Sequence, residues 1–281
     1  MDSYLITAIL CLLTIVNYVG VNGRLISKSS QESNFQQELG PRIIGGKFAE
    51  PGEFPYYVQV ITQLGDFFPT CGGTLIKDSI VITAAHCVWD NGQPAKMVMV
   101  QSKSKRGLFL SRKPFEWQVN NGTKLIVHEN YTVNDEGIPI NDIALIKLDL
   151  TQSPLSSSSS AKNGIANLAS KHYPIGTSVV LAGYGLTESG RSPKFLKKKD
   201  SVLINNDAHL NGILFTQRTD EDLVYIGDSG GPVIVQGKTP SQDELVGIIS
   251  FGDEYLEGDR EGSTDVYFYR DWIQSKVASL I

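Results

Sequence analysis

Three short segments of this chain hold the side chains best suited to chemistry. They are Thr83-Ala84-Ala85-His86-Cys87, Asn141-Asp142-Ile143-Ala144-Leu145 and Gly227-Asp228-Ser229-Gly230-Gly231-Pro232. Taken singly, a histidine beside a cysteine in a strand-rich stretch is usually structural. An aspartate ahead of an apolar strand is usually a turn residue. The third segment differs, because two glycines directly after an Asp-Ser pair make a tight loop that leaves a serine hydroxyl accessible. That hydroxyl is a weak nucleophile at neutral pH and needs a base to take its proton. A histidine does this and then returns the proton to the leaving group. A carboxylate behind the histidine holds its tautomer and stabilises the imidazolium. The chemistry open to these three types together is nucleophilic attack on a carbonyl.

Such groups need a rigid frame, and the pattern from residue 43 onward offers one. Short apolar runs expected to be strands are Tyr56 to Ile61, Thr74 to Thr83, Lys124 to Val127, Ile143 to Leu148, Ser178 to Ala182, Pro232 to Val235 and Leu245 to Ser250. Turn signals at Asn91-Gly92, Asn121-Gly122 and Asn211-Gly212 fall between them. Many short strands with Gly-rich turns predict an all-β sandwich or barrel. Only the tail, Tyr269 to Leu280, spaces Trp272, Ile273, Val277 and Leu280 as an amphipathic helix would. The serine run Ser156 to Ser160 reads as a surface loop or linker.

The bulk properties bound the function classes. A chain of 281 residues with 41% apolar content has room for a sizeable core, which excludes collagen-like and largely disordered chains. A net charge of -5 argues against nucleic-acid binding, which wants a basic face. The apolar run from Tyr4 to Val19 is shorter than the roughly 20 residues of a membrane span. Small and polar residues follow it, so residues 1–23 read as a signal peptide cut after Gly23, with the atypical feature of Asp2 and no basic residue at its start. Residues 24–42 are polar and aperiodic and end at Pro41-Arg42, a point open to a trypsin-like protease. With Cys11 in the leader, Cys71 and Cys87 remain and are expected to pair in a secreted chain. The sequons at Asn121 and Asn130 fit secretion.

In this order, the three chemical segments resemble those of the chymotrypsin-like serine peptidases. The resemblance runs from Ile43 to the C-terminal helix. It includes Arg42-Ile43-Ile44-Gly45-Gly46, Cys71-Gly72-Gly73 and Ile249-Ser250-Phe251-Gly252. It implies a peptidase domain over 43–281, built as two antiparallel Greek-key β-barrels with the active site between them and a C-terminal α-helix. The two halves would join near residues 150–170. It implies His86, Asp142 and Ser229 as a catalytic triad and the backbone N–H groups of Gly227 and Ser229 as an oxyanion hole. It further implies a precursor cut after Arg42, so that the new amino group of Ile43 pairs with Asp228. No cofactor or metal is called for. The implied partners are protein or peptide substrates, an activating protease and protein protease inhibitors, and the implied state is a secreted monomer bound to neither nucleic acid nor membrane.

The chain also departs from that family. Val179 and Val235 stand where a disulfide is common, and Tyr225 and the region of Leu256 lack another. Phe251 and Tyr184 each replace a tryptophan. Leu223, six residues before Ser229, matches the floor of the primary substrate pocket, which is expected to be walled by Ser250, Phe251, Gly252 and Asp265. His128, His172 and His209 have no metal-ligand spacing and read as surface or turn residues. Lys197-Lys198-Lys199 reads as a solvated loop. An alternative reading is a catalytically silent relative acting as a binding or signalling module.

Overall fold

The structure is a computed structural model and describes residues 46–102, 118–119, 124–149, 164–186, 193, 195–204, 210–218, 226–252 and 259–281. The expected leader and propeptide, Arg42, Ile43, Asn121, His209, Leu223, Tyr225 and Leu256 all lie outside the described residues.

The first part of the chain gives β1 (Lys47–Phe48), β2 (Tyr57–Gln63), β3 (Thr70–Lys77), β4 (Ile80–Thr83), β5 (Trp89–Asp90) and β6 (Gln93–Pro94). Then come β7 (Met97–Ser102), β8 (Gln118–Val119), β9 (Leu125–Val127), β10 (Thr132–Val133), β11 (Pro139–Ile140) and β12 (Ala144–Lys147). The second part gives β13 (Asn167–Leu168), β14 (Ser178–Gly183), β15 (Lys197–Ile204), β16 (Ile213–Gln217), β17 (Pro232–Val235), β18 (Glu244–Phe251) and β19 (Arg260–Asp265). A helix, Arg270–Ser279, closes the chain.

Two larger sheets carry the fold. One is a half-barrel of seven antiparallel strands in the order β8-β7-β2-β3-β4-β12-β9. In the other, β14-β17-β18-β19-β16-β15 forms a closed ring, because β15 pairs with β14 on one side and β16 on the other. The all-β, two-barrel expectation holds, with the C-terminal helix in place. Strand β4 is buried along its whole length, as a short apolar run covered on both faces should be. Asn91 and Gly92 take φ of 48° and 77°, the left-handed pair that turns β5 into β6. The run from Thr74 to Thr83 is two strands rather than one, because Asp78-Ser79 turns the chain between β3 and β4.

One buried cluster spans both sheets, with Val60, Ile82 and Leu145 from the half-barrel and Leu181, Val233 and Ile249 from the closed barrel. Val179 is buried in it, so apolar packing occupies the position where a cysteine is common. The lysine run is not a solvated loop. It opens β15, and the strand's two-residue alternation turns Lys197 and Lys199 inward while Lys198 is half-buried. Each inward charge has compensation. Lys199 Nζ reaches both carboxylate oxygens of Glu261 at 2.9 and 2.8 Å, and Lys197 Nζ donates to the Gly46 carbonyl at 3.3 Å above the Phe48 ring.

The helix buries Ile273 and is tied to the half-barrel side by Trp272 Nε1 donating to Glu129 at 2.8 Å, with Lys276 paired to the same carboxylate. Among the described residues no helix is long and apolar enough to cross a membrane.

Candidate active site

The two sheets meet where glycine backbones touch. A Cβ on Gly72 of β3 would lie 2.6 Å from the Cα of Gly231, and one on Gly230 would lie 2.2 Å from Thr83 Oγ1. No larger residue fits at either place. Gly72 N–H donates to the Ser229 carbonyl at 2.7 Å, and Gly230 N–H donates to the Ile249 carbonyl of β18 at 2.7 Å. The loop from Gly227 to Gly231 is thus pinned from both barrels. Gly227 and Gly230 take φ of 100° and 77°, which only glycine adopts without strain.

His86 sits on a single 3-10 turn, Ala85–Cys87, directly after β4. Asp142 stands just before β12, which pairs with β4, so sheet register brings the two together. Asp142 Oδ1 accepts the His86 backbone N–H at 2.9 Å, and Asp142 Oδ2 lies 2.7 Å from His86 Nδ1. The carboxylate is 1% exposed and the imidazole 29% exposed. Ser250 Oγ donates to Asp142 Oδ2 at 2.5 Å, and Thr264 Oγ1 donates to the Asp142 carbonyl at 2.7 Å. Burial works against charge on both partners. At His86 the carboxylate's field and hydrogen bond outweigh it, so the imidazole pKa is raised. At Asp142 the His86 and Ser250 contacts outweigh it, so the carboxyl pKa is lowered.

Cys71 and Cys87 are joined in a disulfide, as expected. The Cys87 sulfur lies 3.7 Å from the Ser229 carbonyl oxygen, which sets the serine loop against the segment carrying His86. Cys71, His86 and Cys87 place their ligand atoms within 4.8 Å of one another, but both sulfurs are spent on each other and the group makes no metal centre. Asp228 is 3% exposed, and its Oδ1 accepts the Gly185 N–H at 2.7 Å. A Cβ on Gly183 would come within 1.8 Å of that carboxylate, so Gly183-Tyr184-Gly185 forms a cradle that only glycines permit.

Of the expected pocket residues, Ser250 is brought to Asp142 as a hydrogen-bond donor. Phe251 is 5% exposed and packs against Phe215, with ring centroids 6.5 Å apart. Gly252 is half-buried with open space where a Cβ would go. Asp265 is a correction. It does not stand at the Ser250 end of the paired strands β18 and β19 but across from Gly247 at the opposite end. There its Oδ1 accepts the N–H groups of Tyr267 and Phe268 at 2.9 and 3.2 Å and shapes the turn into the helix. Its role is that of a turn-forming acid, because its position in β19 points it away from the neighbouring Thr264, which faces Asp142.

Sequence reasoning missed Thr264 and Asn141. Asn141 has φ of 56°, donates through Nδ2 to the Asn130 carbonyl at 2.8 Å and accepts from Tyr269 OH at 2.8 Å. An Asn ahead of an Asp is a readable sign of a left-handed turn. Nothing in the sequence around Thr264 signals its role.

Residues 43–273 match the family model Trypsin. The chain belongs to the trypsin family. It is 33% identical to Lectizyme of Glossina austeni, over 75% of this chain and 77% of that protein. It is 29% identical to Trypsin-1 of Astacus astacus, over 83% of this chain and 99% of that protein. It is 32% identical to Transmembrane protease serine 11C of Mus musculus, over 84% of this chain, and spans about half, 54%, of that relative's length. With trypsin-family membership the chemistry acquires its class, and the chain is a serine endopeptidase.

Proposed function

We propose that this trypsin-family chain is a secreted peptidase that works through an acyl-enzyme and is made as a precursor activated by cleavage after Arg42. The observation that carries the mechanism is the buried Asp142 carboxylate 2.7 Å from His86 Nδ1. With Nδ1 engaged, Nε2 is the ring nitrogen left to move a proton. Ser229 Oγ attacks the peptide carbonyl carbon while His86 takes its proton, and the carbonyl oxygen gains negative charge. The N–H groups of Gly227 and Ser229 stabilise that oxyanion, and losing one such donor costs about 3 to 4 kcal/mol. The intermediate collapses as His86 protonates the leaving amine, and the peptide's acyl part stays on Ser229. Water then attacks the acyl carbon while His86 takes its proton. The ester bond to Ser229 breaks as His86 returns that proton to Oγ, and the carboxylic acid product leaves. Asp142 holds the tautomer and stabilises the imidazolium throughout.

Activation follows from Asp228. A buried carboxylate stabilises a nearby cation strongly, and the freed amino group of Ile43 would provide one beside the oxyanion loop. The substrates are proteins or peptides, protein protease inhibitors are natural partners, and Asn130, on an exposed turn, is a glycan acceptor. The test is labelling by an organophosphonate probe with tandem mass spectrometry. Ser229 should be modified after trypsin treatment of the wild type and unmodified in Arg42→Gln treated in the same way. Absence of labelling in both would favour a silent binding module, and equal labelling of the uncut chain would overturn the precursor.

A further inference from the structure

We propose that the closed barrel carries a second binding site, a cavity that takes a cationic group on an apolar stem, an alkylguanidinium or alkylammonium. The cavity has a volume of about 380 Å³, within the size range of small-ligand sites. Its walls include Leu203, Leu214, Val246 and Tyr267, and its polar end is Asp265 with His172 beside it. It lies apart from the catalytic residues. Val246 is four residues along β18 from Ser250, about 13 Å of strand, and no residue of the 227–231 loop lines it.

The Asp265 carboxylate points to the ligand's charge. Its side chain is 10% exposed. Both backbone N–H groups that reach it fall on Oδ1. Among the described residues Oδ2 has no hydrogen bond, and the His172 Nδ1 stands at 3.7 Å, beyond hydrogen-bonding range. The Asp265 carboxylate lines the cavity with this one oxygen free of donors from the described residues, so a ligand N–H can pair with it there. Burial raises the Asp265 pKa, as expected of a carboxylate short of donors. The one lysine on the rim, Lys171, has its Nζ 5.2 Å from the centre of the Tyr173 ring. His172 packs edge-on against Tyr267 at 4.4 Å and forms an exposed wall at the mouth. The aliphatic wall would cover the stem while Oδ2 receives the charged head.

The experiment is calorimetric titration of the full chain, with Ser229 blocked by an organophosphonate so that the catalytic cleft is occupied. The probes are n-butylguanidinium and a short blocked peptide with a single central arginine. Binding of at least one probe is expected, weakened about tenfold or more by Asp265→Asn. Asparagine keeps an oxygen for the two backbone N–H groups, so the fold should survive. Ile204→Trp, which fills the cavity from its rim, should weaken binding without touching the carboxylate. Binding of the small probe alone would assign the site to free guanidinium compounds, and binding of the peptide, with or without the small probe, would assign it to an arginine side chain of a docking protein. Equal affinity in both variants, or no heat with either probe at millimolar concentration, would overturn the site. The titration does not depend on turnover, so its failure and a failure of the peptidase reading are separable.

Discussion

Asp142 and Asp265 are both buried acids, and their carboxylates are wired in opposite ways. Thr264 donates to the Asp142 carbonyl, while Asp265 is the next residue of β19 and faces elsewhere. Both oxygens of Asp142 carry donors, from His86 N–H, His86 Nδ1 and Ser250 Oγ. Asp265 receives its two backbone donors on a single oxygen. Burial pushes both acids toward the neutral form. At Asp142 the His86 and Ser250 contacts reverse that push, and at Asp265 burial wins over the backbone hydrogen bonds and His172. Depth therefore does not decide which way a buried acid's pKa moves. The donors and charges that meet its oxygens do.

The same substitution at the two acids should give the largest contrast. Asp142→Asn presents an amide N–H where His86 Nδ1 needs an acceptor, so the imidazole takes the wrong tautomer. A fall in kcat of about 10⁴ is expected, with the folded state intact by circular dichroism. Asp265→Asn should leave kcat within about twofold, since no catalytic group touches it. Comparable losses in both would erase the distinction between them. A third acid extends the series, because Glu261 is 2% exposed and Lys199 Nζ reaches both of its carboxylate oxygens. Lys199→Met should cost about 3 to 5 kcal/mol of unfolding free energy in urea, since it removes one partner of a buried ion pair. Adding Glu261→Gln should recover part of that loss, and a double variant no more stable than the single would mean the pair is not what Lys199 contributes.

Ser250→Ala sharpens the comparison by making Asp142 more like Asp265. Removing one donor from Oδ2 should lower kcat/KM about tenfold. The pH profile gives the sign. The base must be neutral, so kcat/KM falls as pH drops through the raised pKa of His86. With Ser250 gone, Asp142 places more of its charge on the imidazole, and the acid limb should move to higher pH. A limb that stays put while the rate falls would make Ser250 a substrate contact rather than a positioning residue for Asp142.

The parts of this site that were legible in the sequence are those where chemistry leaves no choice of residue type. The pairing of β4 with β12 brings His86 to Asp142, and the glycine-rich loop that carries Ser229 is pinned by its backbone to β3 and β18. What local pattern does not reveal is position along a strand. The resemblance puts Asp265 on the pocket wall, yet the register of β19 sets it across from Gly247, away from Ser250. The lysine run looked solvated because hydropathy does not show Glu261 waiting across the barrel. Thr264 and the link from Tyr269 through Asn141 to Asn130 join residues far apart in the chain, and no local pattern encodes them.

The smallest expected effect is on stability against pH. An acid with a raised folded pKa holds its proton in the native state after the unfolded chain has released it. Between the ordinary aspartate value, about 4, and the folded pKa of Asp265, the native state binds more protons than the unfolded state. Stability contributed by Asp265 is therefore full below the ordinary value and declines as pH rises through this window, then levels off. Asp142 has a lowered folded pKa and does the reverse, with its contribution present above the ordinary value and lost as pH falls through the folded one. Asp265→Asn cannot ionise and escapes the decline while keeping an acceptor for Tyr267 and Phe268. Its Tm should exceed that of wild type slightly at pH 7, and the two should converge near pH 3, where both carry a neutral group. A difference of the same size at both pH values would mean that the substitution acts through packing. A less stable variant at pH 7 would mean that the charge of Asp265 is already satisfied in the native protein.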